Sequence, residues 1–284
     1  MELIQYIIFG IIQGITEPIP VSSSGHLFLF KNVFNTNMFN DLNFEIIVNF
    51  GSFLAILFIF RKDVIKLLKG FFGFLFGKKV PDEENENKKD FEKKRSQYKI
   101  DFKYCMLIIV GSIPVGIGGI LLKDKIESMF NSVQFLGIAF TITALALFLV
   151  RKMNGTKEDK DITYKDAIII GLIQLLALCP GISRSGSVLV GCLLCGLKRE
   201  TALKYTFMLY FPVSMASMLL GVIDLLQVSN LASLILPYSL GMIAALIVTL
   251  FSYKWLSEWV KKGKLWMFSI YCLCLALFIF IYFR

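Results

Sequence analysis

Glu17 is a carboxylate set in an apolar stretch, and Ser22, Ser23, Ser24, Gly25 and His26, the chain's one histidine, follow it closely. An acid, three hydroxyls and an imidazole at this spacing suit nucleophilic or general acid–base chemistry. Gln13 lies four residues before Glu17, so on a helix the two share a face. Glu17 there reads as a divalent-metal ligand or as an acid/base. An ionised carboxylate in lipid costs about 2.5 kcal/mol or more, so a cation or water must offset it. The serine run can cap a helix start, and the same helix end can cradle a phosphate.

The segment has a second copy. Residues 12–25 read IQGITEPIPVSSSG and residues 173–186 read IQLLALCPGISRSG, with five of fourteen positions identical at an offset of 161. Gln13 answers Gln174, Ser22 answers Ser183, Ser24 answers Ser185 and Gly25 answers Gly186. The copies differ where chemistry would differ, Glu17 facing Leu178 and Ser23 facing Arg184. Arginine keeps its proton, and its planar fork binds phosphate oxygens in pairs. Ser22, Ser24, Gly25, Ser183, Arg184, Ser185 and Gly186 are therefore the candidate phosphate-binding set, with Glu17, Ser23, His26 and Arg184 the candidate catalytic residues. A resting ion pair between Arg184 and Glu17 is compatible with that role. The repeat continues, Phe44–Leu57 shifting onto Tyr205–Met218.

The elements that must position these groups are membrane elements. The 284-residue chain is 56% hydrophobic with a mean hydropathy of +0.68, the profile of an all-α polytopic membrane protein. A crossing needs about 20 apolar residues. Six stretches meet this, roughly 44–60, 104–122, 133–150, 201–223, 233–253 and 265–283. Residues 1–35 and 166–198 hold shorter runs interrupted by Pro18, Pro20, Pro180 and Gly181. They read as two re-entrant helical hairpins, against the plainer alternative of spanning helices kinked at proline. Irregular backbone is tolerated at membrane depth only when buried in protein or lining a wet cavity.

Placing 61–103, 151–165, 198–204 and 254–264 on one side collects 25 of the 30 Lys and Arg residues there. The positive-inside rule makes that side cytoplasmic. The hairpins then enter from opposite faces, giving inverted repeats over roughly 1–122 and 162–284, whose binding sites belong near the midplane. Residues 78–103 read as a charged cytoplasmic loop, and Gly116, Gly118 and Gly119 as close-packing positions. The +9 charge carries no nucleic-acid module, and the six cysteines lack metal spacing. Residues 1–12 have no basic leader pattern.

QGITEPIPVSSSGHL followed by PGISRSGS resembles the undecaprenyl-diphosphatase family of the bacitracin-resistance type, over essentially the whole chain. That resemblance implies a bacterial plasma-membrane enzyme whose site opens to the outer face. It would hydrolyse the terminal phosphate of a C55 polyprenyl diphosphate, recycling the lipid carrier for peptidoglycan assembly and conferring bacitracin resistance. Two departures stand out. Family members often carry Glu where this chain has Gln13, and a threonine found in some is Val188 here. The nucleophile stays open between Ser23 activated by His26, His26 itself, and water. The partners implied are the polyprenyl diphosphate and bilayer lipids, with a homodimer left open. The alternative is a polyprenyl-phosphate transporter using the same cavity, since inverted repeats with broken helices are also carrier architecture.

Overall fold

The computed structural model describes residues 2–34, 42–77, 86–122, 125, 133–225 and 231–283. These form ten α-helices: α1 (Glu2–Thr16), α2 (Ser23–Phe34), α3 (Leu42–Phe76), α4 (Glu86–Leu121), α5 (Val133–Val150), α6 (Tyr164–Leu175), α7 (Arg184–Leu194), α8 (Arg199–Leu225), α9 (Leu231–Lys261) and α10 (Leu265–Tyr282). By length and composition α3, α4, α5, α9 and α10 each contain a stretch able to cross a membrane. The remaining expected crossing, 201–223, falls on α8, part of whose side chains lie outside the described set.

The hairpin helices are short. At a rise of about 1.5 Å per residue, the 12 residues of α2 and α6 reach about 18 Å and the 11 of α7 about 16 Å, against about 30 Å of hydrocarbon. Polarity runs inside out. Gln13, Glu17, His26, Gln174 and Ser183 are buried, while Ile120, Leu149, Phe251 and Ile281 are each more than two-thirds exposed. That is the arrangement of a chain solvated by lipid and polar at its centre.

Packing is exchanged between the halves. The first hairpin helix, α1, packs on α9, whereas its counterpart α6 packs on α4. At both crossings two glycines let backbones touch: a Cβ on Gly10 would lie 2.2 Å from Gly241 O, and one on Gly171 only 2.3 Å from Gly111 O. Gly10 and Gly171 are 161 apart, so the repeat seen in the sequence is a repeat of helix crossings. The glycines singled out in α4 behave differently. Gly118 faces Leu175, but Cβ atoms on Gly116 or Gly119 would meet nothing within 4 Å. Those two face outward and are not packing positions.

The 78–103 loop reading is corrected by α4. Residues 86–103 are helical, and 78–85 lie outside the described residues. Gln97 donates to Asp101 at 2.9 Å, and Phe102 packs on Phe71 and Phe74 of α3. An aromatic seam on one face keeps the helix docked while the mixed charges remain solvated. The basic segments do gather at one end of the bundle. Lys204 bridges Asp63 and Asp159, Lys66 pairs with Asp101, and Lys261 with Glu200.

Candidate active site

Each hairpin turns over at a capped helix start built the same way twice. The Gly25 N–H donates to Ser22 Oγ at 3.3 Å, and the Gly186 N–H to Ser183 Oγ at 3.0 Å. Ser22 Oγ lies 3.5 Å from Ser24 Oγ, and Ser183 Oγ lies 3.3 Å from Ser185 Oγ. These bonds satisfy donors that a helix leaves open at its start. Ser22 reverses the chain with φ of +69°, a left-handed conformation uncommon outside glycine.

The two tips interlock reciprocally. A Cβ on Gly25 would sit 3.0 Å from Gly181 Cα, and one on Gly186 would sit 3.3 Å from Pro20 Cβ. Gly25 with Gly181 and Gly186 with Pro20 are the same contact seen from either copy, since 20 and 181 also differ by 161. Gly25 and Gly186 stand where the two tips approach most closely. Their N–H groups serve the caps, and their missing side chains bring the tips together.

Glu17 is where the hairpins meet. Its side chain is 4% exposed, and both oxygens are engaged. Arg184 Nη2 donates to Oε1 at 2.7 Å, while Ser23 Oγ and Gln13 Nε2 donate to Oε2 at 2.5 and 2.9 Å. Gln13 Nε2 also donates to Asn49 of α3. Arg184 reaches on to Ser214 Oγ at 3.0 Å and lies over the Tyr210 ring at 4.6 Å. Two neutral donors and a guanidinium converge on the Glu17 carboxylate, and one of the two is the Ser23 hydroxyl, whose proton the carboxylate is placed to accept.

Beside this web is a cavity of about 210 Å³, lined by Glu17, Ser22, Ser23, Ser24, Ser183, Arg184 and Ser185 among others. It is far above the roughly 10–15 Å³ that one water needs. Val188 also lines it.

His26 is not brought to this cavity. Its Nδ1 lies 2.7 Å from Ser22 O and its Nε2 2.8 Å from Tyr271 Oη on α10. The ring stacks parallel to Tyr271 and edge-on to Phe140. Nδ1 thus bonds the backbone at its own helix start, Nε2 ties α2 to α10, Phe140 of α5 meets the ring edge-on, and neither nitrogen bonds Ser23. The first-turn position was legible in the sequence, but the bonds to Ser22 O and Tyr271 Oη that occupy the ring were not.

Sequence reasoning missed several residues. Glu45 lines the cavity, and its signal was present: a second acid in an apolar helix, four residues before Asn49. Tyr210 and Ser214 gave no signal beyond helical spacing on α8. Gln174 lines the cavity fully buried, and neither its Nε2 nor its Oε1 has a hydrogen-bond partner among the described residues. Gln13 Oε1 is orphaned likewise. Each unsatisfied buried group costs about 1–3 kcal/mol.

Residues 6–278 match the family model described as bacitracin resistance protein BacA. The chain belongs to that family. It is 39% identical over 280 residues to undecaprenyl-diphosphatase 2 of Bacillus thuringiensis, covering 99% of this chain and 97% of the relative. It is also 39% identical over 283 residues to undecaprenyl-diphosphatase 1 of Bacillus licheniformis, covering 99% and 98%. The undecaprenyl-diphosphatase of Oceanobacillus iheyensis is 37% identical over 282 residues, covering 99% and 96%. Family membership thus extends over both hairpins and the long helices that carry them.

Proposed function

We propose that the protein is an undecaprenyl-diphosphatase, a membrane hydrolase that removes the terminal phosphate of a C55 polyprenyl diphosphate. The observation that carries this reading is Glu17 accepting the Ser23 hydroxyl while pairing with Arg184 at the edge of one cavity. A carrier needs cations and N–H donors for a phosphate but no hydroxyl set against a base, so the pair favours hydrolysis over transport.

Ser23 is the nucleophile. Its Oγ attacks the terminal phosphorus as Glu17 takes its proton. The bond from that phosphorus to the bridging oxygen breaks, and the polyprenyl monophosphate leaves with the proton. Glu17 then takes a proton from water, which displaces Ser23 from phosphorus. Inorganic phosphate departs, and Ser23 recovers its proton from Glu17. Arg184, released from Glu17 onto the phosphoryl oxygens, stabilises their developing charge. A preorganised donor of this kind contributes roughly a hundred- to thousandfold in rate.

The donor set also fits a hard divalent cation, Mg²⁺ or Ca²⁺. Glu17 and Glu45 line one cavity, and Gln13 Oε1 has no hydrogen-bond partner among the described residues. Gln13 and Glu17, joined by Glu45, would hold it. Bound there it would act as a Lewis acid toward diphosphate oxygens. The basic end of the bundle is assigned to the cytoplasm of a bacterial plasma membrane and the cavity to the outer face, where the carrier is recycled for cell-wall synthesis.

The test is phosphate release by detergent-purified protein from C15 to C55 diphosphates, followed by trapping with a substrate labelled in the terminal phosphate. Label on Ser23, and a loss of at least about a hundredfold in Glu17→Gln, are expected. Label on His26, or full activity in Ser23→Ala, would overturn the assignment.

A further inference from the structure

The duplication preserved Gln174 but not its environment. In the first copy Gln13 Nε2 is held by Glu17 and Asn49. The positions 161 residues on are Leu178 and Tyr210, and neither gives Gln174 a hydrogen bond. A carboxamide with both polar atoms buried and unpaired is a poor choice for packing, because an apolar side chain of equal size would avoid the desolvation penalty. A partner that enters the cavity resolves this.

The walls say which partner. On the Glu17 side the cavity is lined by hydroxyls, from Thr16 and Ser22 to Ser24. Gln174 lines it together with the apolar Val115, Ala177 and Leu178. A diphosphate lying across it would put its terminal phosphoryl at Ser23 and Arg184. Its lipid-bearing phosphoryl would lie where the apolar wall begins. We propose that Gln174 binds this second phosphoryl group, its Nε2 donating to a non-bridging oxygen, and so selects diphosphates over simple phosphate esters. This rests on the diphosphatase reading and deepens it. A neutral amide suits the place: it orients the leaving phosphate without holding the product as a second arginine would.

The experiment uses Gln174→Leu, close in size and free of the orphan atoms, with Gln174→Glu as a like-charge variant. In Gln174→Leu, KM for a polyprenyl diphosphate should rise about ten- to hundredfold, with kcat within about threefold. Competitive inhibition by polyprenyl monophosphate should weaken by the same factor, while inhibition by inorganic phosphate should not move. Thermal stability should be unchanged or higher, and Gln174→Glu should raise KM further. If KM and monophosphate inhibition stay at wild-type values, or stability falls with KM unchanged, Gln174 is structural and the inference is wrong. Wild-type protein that releases no phosphate would instead sink the parent reading, so the two failures are told apart.

Discussion

Arg184 and Glu17 stand 167 residues apart in the chain, yet their side chains form a 2.7 Å ion pair. One comes from each hairpin, so the pair exists only when both tips are in place. The partners are unequally solvated: the Glu17 side chain is 4% exposed, whereas that of Arg184 is 30% exposed. The guanidinium therefore keeps one edge toward the cavity, where an entering phosphate can compete with Glu17 for it.

That asymmetry predicts non-additive stability. Arg184→Gln strands the buried Glu17 charge, which would cost roughly 3–5 kcal/mol for a fully buried pair and about 2–3 here, given the exposure of Arg184. Glu17→Gln together with Arg184→Gln removes both charges and should recover most of that loss. Thermal unfolding followed by tryptophan fluorescence would measure the cycle. Both proteins should lose at least about a hundredfold in phosphate release. A double variant less stable than Arg184→Gln would contradict the pairing.

The place of His26 predicts an effect on stability and not on chemistry. Tyr271→Phe removes the hydroxyl that faces His26 Nε2 at 2.8 Å, a loss of about 1 kcal/mol for one hydrogen bond. The melting temperature should drop by a few degrees, while kcat stays within about threefold and the pH–rate profile keeps its shape. A proton-transferring histidine contributes typically a hundred- to ten-thousandfold. A comparable fall in kcat in Tyr271→Phe, or a shifted pH profile, would return His26 to the reaction.

Much of the site could be read before any coordinates, for a physical reason. Glu17 and Arg184 are costly at membrane depth, so their presence in apolar sequence already marked them, and the repeat said that they should meet. Direction was not legible. At Gly25 and Gly186 a serine–glycine helix start can serve capping and anion binding with the same atoms, so sequence alone does not separate the two. His26 shares the first turn of α2 with Ser23, but the Tyr271 hydroxyl that claims its ring lies 245 residues away on another helix. Charge patterning also misled at 86–103, where an aromatic seam supplied by α3 holds a helix that local composition reads as loop.

The shared glycine crossings predict opposite outcomes for similar substitutions. Gly10→Ala and Gly171→Ala would push a methyl against a backbone carbonyl oxygen, 2.2 and 2.3 Å away, which cannot yield as a side chain could. Overpacking of this kind costs about 1–3 kcal/mol. Gly116→Ala adds its methyl where nothing lies within 4 Å, and should stabilise by about 0.5–1 kcal/mol through helix propensity. Unfolding midpoints in a denaturant series would separate them. Equal effects at Gly10 and Gly116 would mean that the α1–α9 crossing is looser than described.

Gln13 makes the cation question testable in this chain. A glutamine offers one neutral oxygen where a glutamate would offer a carboxylate, so a divalent cation should bind here more weakly than to two acids plus Glu45. Gln13→Glu supplies a second carboxylate but also sets a like charge four residues from Glu17, which raises the need for a cation. The variant should therefore be less stable than wild type in chelator, and should regain stability with added Mg²⁺ or Ca²⁺. Its half-saturating metal concentration should fall by about tenfold or more, while Glu45→Gln should raise that of the wild type. Calorimetric titration and metal-dependent melting report on binding directly, apart from turnover. If melting of wild type, Gln13→Glu and Glu45→Gln is equally indifferent to metal, the oxygens around Glu17 hold no cation, and Arg184 alone balances its charge.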